Sequence, residues 1–238
     1  MNEHLSSASL KAQAKGQLLG KYGTVVGTTA IYGACTAFLS LNAFILINTG
    51  SLLGILLYQA ASYLISLLIG ILSFGLSYIF LKLCCNQPIF IKDIFYGFSY
   101  NSNRVLGIEA VLAGISLVCL LPANLFSLVI QQTPANPYLM LIYSLLLICG
   151  LVVTLFLKLT FSQSHYLLLD FPQYSPREIL SISRRIMQGN KGRLFYIYLS
   201  FVPLYLLCAI GCYIPLLWVY PYLQAVSANF YMDVVKKY

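Results

Sequence analysis

The sequence predicts an all-α protein that lies in a membrane and crosses it about six times as a polytopic helical bundle. Of its residues, 60% are hydrophobic and only 8% are charged, and the mean hydropathy is +0.83. An ordinary soluble domain carries about a quarter charged residues. Several charge-poor runs exceed about 18 residues, the length that crosses roughly 30 Å of hydrocarbon as a helix. This composition excludes a water-soluble fold.

The apolar runs define six predicted spans within one membrane domain that covers residues 1–238. Lys21 precedes the first span, and Lys82 ends the second. Residues 48–51 are expected to form the turn between these two spans. Pro122 lies inside the third span, where the missing backbone donor predicts a kink. The spans are expected at about residues 22–47, 52–83, 105–130, 138–160, 194–210 and 215–232.

Three segments of mixed polarity predict amphipathic helices that lie at the membrane interface. In the first, Leu10, Ala14 and Leu18 share one side of the helix. The third has a clear start signal, because Ser175 can cap the helix and Glu178 follows three residues later. These interfacial helices are expected at about residues 5–20, 88–103 and 176–188.

The order of these segments predicts a threefold repeat of one interfacial helix and one transmembrane hairpin. Each hairpin is preceded by a basic residue, namely Lys21, Arg104 or Arg193. With six spans, every Lys and Arg falls on one side, including Lys236 and Lys237. Since basic loops face the cytoplasm, both termini are expected there. No cleavable signal peptide is expected before the first span.

The formal charge of +8 predicts contact with anionic lipid and not with nucleic acid, because the basic residues adjoin membrane spans. A selective lipid site would gain very roughly 1 kcal/mol from each cation near the membrane. The alternative is that the charges only set the orientation. A protein partner or a homo-oligomer is also left open. The densest basic cluster comprises Arg177, Arg184, Arg185, Lys191 and Arg193.

Glu109 is the leading candidate for an intramembrane polar site, because an ionised carboxylate is costly in hydrocarbon. Together with Asn124 and the predicted kink at Pro122, it could line a path for a solute. In the alternative interpretation, Glu109 sits shallow and pairs with Arg104 or Lys158. The environment of Glu109 decides between the two.

Other residue types that support chemistry are sparse. His165 and Asp170 lie near Ser162 and Ser164, the residue types of a hydrolase triad, but no Gly-x-Ser-x-Gly motif is present. Interfacial hydrogen bonding is the favoured interpretation of these groups. The seven cysteines form no Cys-x-x-Cys pair and no histidine stands at metal spacing, so no metal, cofactor or catalytic site is expected.

Small residues at a spacing of four, Ser62, Ser66 and Gly70, are typical of close helix contact, and no polar pore is needed to explain them. Gln59 and Asn229 lie within apolar runs and need hydrogen-bonding partners there.

Three stretches of the sequence carry a resemblance to known proteins: LKAQAKGQLLGKYG (10–23), ISRRIMQGNKGRLFYIYLSF (182–201) and LWVYPYLQAVSANFY (217–231). They resemble a family of bacterial membrane proteins catalogued as domain of unknown function 975. The resemblance implies a multi-span protein of the bacterial cytoplasmic membrane and supplies no activity, ligand or catalytic residue. In outline, the chain is also similar to the membrane domain of some glycerophosphodiester phosphodiesterases, although no phosphodiesterase domain is present.

These observations favour a non-enzymatic membrane protein that binds anionic lipid or a membrane partner in transport or envelope homeostasis. The alternative is a small multi-span transporter with an intramembrane carboxylate at Glu109. A membrane hydrolase acting near His165 is the third and least favoured hypothesis.

Overall fold

The computed structural model describes residues 5–46, 51–100, 102–132, 136–211 and 215–236, apart from the side chains of 42–46 and 131–132. Every regular element in these ranges is helical, which confirms the predicted all-α class. Residues 48–50 of the predicted turn and Lys237 lie outside the described residues, whereas Ser51, the last residue of that turn, caps the start of the second long helix. The helices are α1 (Ser7–Leu18), α2 (Tyr22–Leu46), α3 (Leu52–Cys84), a 3₁₀ helix (Ile91–Phe95) followed by α4 (Tyr96–Ser99), α5 (Ser102–Gln132), α6 (Pro137–Thr160), α7 (Ser164–Asp170), α8 (Pro176–Ile186), α9 (Lys191–Leu199), α10 (Val202–Ile210) and α11 (Leu216–Val235).

Five stretches of the described chain are helical, long and apolar enough to cross a membrane, so the chain is a multi-pass membrane protein. The C-terminal helix α11 does not reach the same apolarity, because it carries Gln224, Asn229 and Asp233. The count of six spans and the threefold repeat therefore remain predictions. The five stretches are Tyr22–Leu41, Leu52–Cys84, Ser102–Ile130, Pro137–Asp170 and Lys191–Ile210.

The two halves of α3 have different surroundings. Leu53 and Leu57, in its first half, are each more than half exposed, whereas Phe74 and Phe80, in its second half, are fully buried. Apolar side chains need no protein cover where lipid surrounds them. We call the end of the bundle around the second half of α3 the packed end.

At the packed end, hydrogen bonds join the C-terminal helix α11 to the N-terminal region and to the start of α9. Arg193, at the start of α9, donates to Asp233 Oδ2 and to the Leu5 carbonyl oxygen, each at 2.9 Å. Asp233 Oδ1 accepts from the Leu5 backbone N–H at 3.2 Å. Gln17 and Asn229 exchange two side-chain hydrogen bonds, at 3.1 and 2.7 Å. The end of α11 therefore lies beside the N-terminal helix α1.

The short helices α1 and α8 each bury one side against the bundle. On α8, Ser175 Oγ accepts from the Glu178 N–H at 3.4 Å, and the Glu178 carboxylate accepts from the Ser175 N–H at 2.7 Å. The Ser175 N–H and the Ser175 hydroxyl both donate to the Glu178 carboxylate, which holds the pKa of Glu178 below its usual value. Because the folded-state pKa is lowered, this cap stabilises α8 at neutral pH and is lost as the pH falls through that pKa. The buried apolar residues are Leu10, Ala14 and Leu18 on α1 and Ile179, Leu180 and Ile186 on α8.

Two glycines let the segment 91–99 pack directly on the backbone of α3. A Cβ added at Gly75 would collide with the Ile94 carbonyl oxygen. A Cβ added at Gly97 would collide in the same way with the carbonyl oxygen of Ile71. The contact is therefore between two backbones, which cannot move aside as a flexible side chain can.

We predict that Gly75→Ala lowers the free energy of unfolding by about 1–3 kcal/mol, the usual cost of overpacking. Intrinsic helix propensity works in the opposite direction, because alanine favours a helix interior over glycine by roughly 1 kcal/mol. Gly114→Ala, on α5, is the matched control, since an added Cβ there meets nothing within 4 Å. Unfolding of each purified variant in detergent measures the difference. Equal stability of the two variants would contradict the backbone contact.

Candidate functional site

Glu109 and His165 form a buried pair between neighbouring helices. Glu109 lies near the start of α5 and is 9% exposed. Its Oε1 atom lies 2.5 Å from Nε2 of His165, which lies on α7 just beyond the end of α6. The expected pairing of Glu109 with Arg104 or Lys158 is therefore wrong, because its carboxyl group pairs with His165. Helices α5 and α6 pack together along their length, which places these two residues at the same level.

The hydrogen bonds around His165 assign its protons. Ser77 Oγ donates to the Ser73 carbonyl oxygen at 3.0 Å and faces His165 Nδ1 at 3.4 Å. Because a hydroxyl has only one proton and the contact with the Ser73 carbonyl oxygen is the shorter of the two, we assign that proton to the Ser73 bond and take Nδ1 as the donor to Ser77. The bond between Nε2 and Glu109 then holds one further proton. The pair is electrically neutral whether that proton resides on nitrogen or on oxygen.

The surroundings fix the position of this pair. A Cβ added at Gly70 of α3 would collide with the carboxyl group of Glu109, so glycine leaves the space that the carboxyl group occupies. The rings of Phe74 and His165 pack edge to face, with their centroids 6.0 Å apart and an angle of 88° between the ring planes. The acid and the imidazole are thus held by packing on two sides.

The pair opens onto a cavity of about 510 Å³ between α3, α5, α6 and α7. This volume lies within the range of small-molecule sites. Ser62 and Ser66, which the sequence assigns to close helix contact, line the cavity instead. Gln59 also lines it, and its Nε2 atom is buried without a hydrogen-bond acceptor. The other polar side chains of the lining are Tyr32, Tyr63, Ser73, Ser116, Lys158, Ser162 and Ser164.

The structure does not bring Asn124 to Glu109. The two residues are separated by roughly 22 Å along α5, at 1.5 Å per residue. Leu120 is the last α5 residue that lines the cavity, and Asn124 lies about one turn beyond it. Of the two residues predicted to form the polar site, only Glu109 lies there. Its partner is His165 and not Asn124.

The five basic residues expected to contact lipid fall into two groups. Arg177, Arg184 and Arg185 are exposed on α8. Arg193 belongs to the network with Asp233 described above, and its guanidinium lies over the ring of Phe230. Lys191 Nζ lies 4.1 Å from the ring centroid of Phe156. Of these five, only the three arginines on α8 present their charge away from the bundle.

The predicted hydrolase residues do not converge. Asp170 accepts from the Tyr231 hydroxyl at 2.5 Å, and Ser162 donates to the Leu159 carbonyl oxygen at 2.9 Å. Neither contact involves His165. The acid, the imidazole and the serine required by a triad therefore have different partners.

A second set, Ser77, His165 and Glu109, has the residue types of a triad but a different hydrogen-bonding arrangement. The Ser77 hydroxyl donates to the Ser73 carbonyl oxygen, and not to His165 as the nucleophile of a triad would. Ser77 also does not line the cavity. Among the described residues, no group of three or more His, Cys, Asp or Glu side chains is placed to hold a metal ion.

Comparison with known proteins identifies the family and adds no ligand. No curated protein matches the chain. No solved structure matches it either. The model of the family described as "Protein of unknown function (DUF975)" matches residues 1–238, the whole chain, so the chain belongs to this family.

Proposed function

We propose that the chain binds a small polar solute inside the membrane, at the cavity beside Glu109 and His165, and carries it across as a small transporter. The acid–imidazole pair at the wall of a cavity that also exposes serine, tyrosine and Gln59 side chains is the observation that supports this most directly. Polar groups that only join helices satisfy one another and leave little space between them. Here Gln59 keeps a buried donor without an acceptor, which is typical of a binding site.

The polar lining continues along α3, which supports a path and not only a local pocket. Gln59, Ser66 and Ser73 follow one face of the helix at intervals of about two turns. They extend over roughly 21 Å of the helix axis, most of a hydrocarbon layer of about 30 Å. A solute that leaves Glu109 along this face meets polar groups at successive levels.

The placement of charge supports a bacterial cytoplasmic membrane with both termini in the cytoplasm. Lys82, Arg104 and Lys158 lie at the ends of α3, α5 and α6 that meet at the packed end. Arg193 binds Asp233 at the same end, beside α1. Basic residues concentrate on the cytoplasmic side of bacterial membrane proteins. In this orientation, Glu109 lies nearer to the cytoplasm than Gln59.

We predict that the variant Ser116→Cys reacts with a water-soluble methanethiosulfonate reagent in intact membranes, in a background without native cysteines. The thiolate is the reactive form, and it forms only where water reaches the site. Val118→Cys on the same helix is the matched control, because Val118 is 67% exposed on the outer surface that we assign to lipid. The Ser116→Cys variant should react at least about tenfold faster than the Val118→Cys variant.

Equal, slow labelling of both variants would contradict a cavity that is open to water. Equal, fast labelling would show that the outer face of α5 is not covered by lipid. Mass spectrometry of the labelled protein separates these results.

Binding of anionic lipid is a second function, supported by the geometry of α8. Ile179 and Ile186 are buried on one side, and the exposed Arg184 and Arg185 carry charge on the other. A helix of this kind presents its cations to lipid head groups. This function is compatible with transport, because α8 packs on the start of α5, close to Glu109.

We predict that the double change Arg184→Gln and Arg185→Gln weakens retention of phosphatidylglycerol in native mass spectrometry by a factor of roughly 30, since each cation contributes about 1 kcal/mol. The double change to lysine keeps the charge and serves as the control, with retention close to that of the original protein. If the glutamine variant retains the lipid equally well, the arginines only set the orientation.

A further inference from the structure

We infer that the solute is a small organic cation with N–H donors, a primary ammonium ion, which exchanges with the proton shared by Glu109 and His165. This inference rests on the proposed function and specifies its ligand. Three features of the cavity carry it: the charge state of the pair, the direction of the hydroxyl hydrogen bonds, and the position of Gln59.

The first feature is charge balance. With Nδ1 of His165 protonated, the pair and its shared proton are neutral together. When the shared proton leaves for water, the pair carries one net negative charge, which is costly inside the bundle. A bound ammonium ion then restores neutrality, and its binding breaks no covalent bond in the ammonium ion or in the deprotonated pair. An anion would add a second negative charge to the site.

The second feature is the orientation of the hydroxyl groups that line the cavity. Ser66 Oγ donates to the Tyr63 carbonyl oxygen at 2.7 Å, and Ser116 Oγ donates to the Leu112 carbonyl oxygen at 3.0 Å. The Tyr63 hydroxyl donates to the Ala110 carbonyl oxygen at 3.2 Å. Because a carbonyl can only accept, these hydroxyl protons are committed to the backbone. Their oxygen lone pairs remain for a ligand that donates.

The third feature is the far end of the cavity. Gln59 lies about three turns before Gly70 on α3, roughly 16 Å from the level of Glu109. Its unpartnered Nε2 donor requires an acceptor on the ligand or on a water molecule. Leu117 and Leu120 line the wall between the two ends. From Glu109 to Gln59, this order of groups matches a ligand that has an ammonium group, an apolar carbon chain and a terminal hydrogen-bond acceptor.

Of the charged and titratable side chains around the pair, that of Lys158 repels a bound cation. Tyr32 faces the site from α2, Tyr63 from α3 and Lys158 from the end of α6. Tyr166 of α7 approaches from behind, through its hydrogen bond to Ser77. Lys158 is exposed at the rim, where its positive charge weakens cation binding but does not cancel it. Removing this charge should therefore strengthen binding.

The preference for an ammonium group at Glu109 is tested by calorimetry of the purified full chain with three probes of similar size that differ in their polar group: n-butylammonium, n-pentanol and pentanoate. We expect n-butylammonium to bind best. Titrations in buffers of different ionisation enthalpy should show release of close to one proton for each ammonium bound. Because the ammonium binds only the deprotonated pair, its affinity should rise with pH, by up to about tenfold per unit.

Two variants and one control complete the experiment. Glu109→Gln should abolish proton release and weaken ammonium binding by at least about tenfold. Lys158→Gln leaves the pair intact and should strengthen binding severalfold, with proton release unchanged. Glu178→Gln makes the same chemical change on exposed α8, outside the cavity, and should bind as the original protein does. If Glu109→Gln does not fold, the Lys158→Gln result and the proton count still decide.

Several outcomes would overturn the inference. They are preferential binding of pentanol or pentanoate, ammonium binding without proton release, no effect of Lys158→Gln, and no binding of any probe. If the Ser116→Cys variant nevertheless reacts in membranes, the proposed solute cavity stands and only the identity of its ligand is wrong. If that variant is unreactive, the proposed function itself is wrong.

Discussion

A carboxyl group enclosed between transmembrane helices has to be kept neutral, and the imidazole of His165 meets this requirement for Glu109. An isolated buried ion costs several kcal/mol even after the protein relaxes around it. Sharing a proton with the imidazole removes the net charge and leaves a strong hydrogen bond. The glycine at position 70 and the ring of Phe74 then determine where this neutral pair can sit. The cavity and its proposed chemistry follow from this single contact.

The surrounding bundle provides rigidity at one end and openness to lipid at the other. At the packed end, α11 packs against α1, α3 and α9, and Arg193, Asp233 and Leu5 form a hydrogen-bonded network there. In the first half of α3, the leucines face outward, and apolar side chains need no protein cover where lipid surrounds them. The pair of Glu109 and His165 lies towards the packed end, where its geometry is held. The polar face of α3 extends from the pair towards the more open half.

The sequence predicts features that depend on local pattern. The all-helical class follows from long apolar runs, the buried side of α1 from the spacing of Leu10, Ala14 and Leu18, and the start of α8 from Ser175 and Glu178. Each of these signals lies within a few turns of one helix, where periodicity and capping act. The number of spans is harder to predict from sequence, because α11 carries Gln224, Asn229 and Asp233 among its apolar residues.

The partner of Glu109 could not be found from local pattern, because His165 lies 56 residues away. A weaker signal was present, since a short connection makes α5 and α6 antiparallel neighbours. That arrangement places a residue near the start of α5 level with one just beyond the end of α6. The function of Gly70 had no such signal, because its spacing from Ser62 and Ser66 is equally typical of plain helix contact. The cavity depends on how α3, α5, α6 and α7 pack against one another, which no residue spacing specifies.

The state of the Glu109–His165 pair can be measured directly by ¹⁵N NMR of the imidazole in lipid bilayers. The chain has two histidines, so His4→Asn leaves His165 as the only signal. The predicted spectrum shows a protonated Nδ1 and an Nε2 that shares its proton, with the Nε2 signal moving strongly in Glu109→Gln and remaining unchanged in Glu178→Gln. Two nitrogens that exchange freely with water, with no response to Glu109→Gln, would contradict the buried neutral pair.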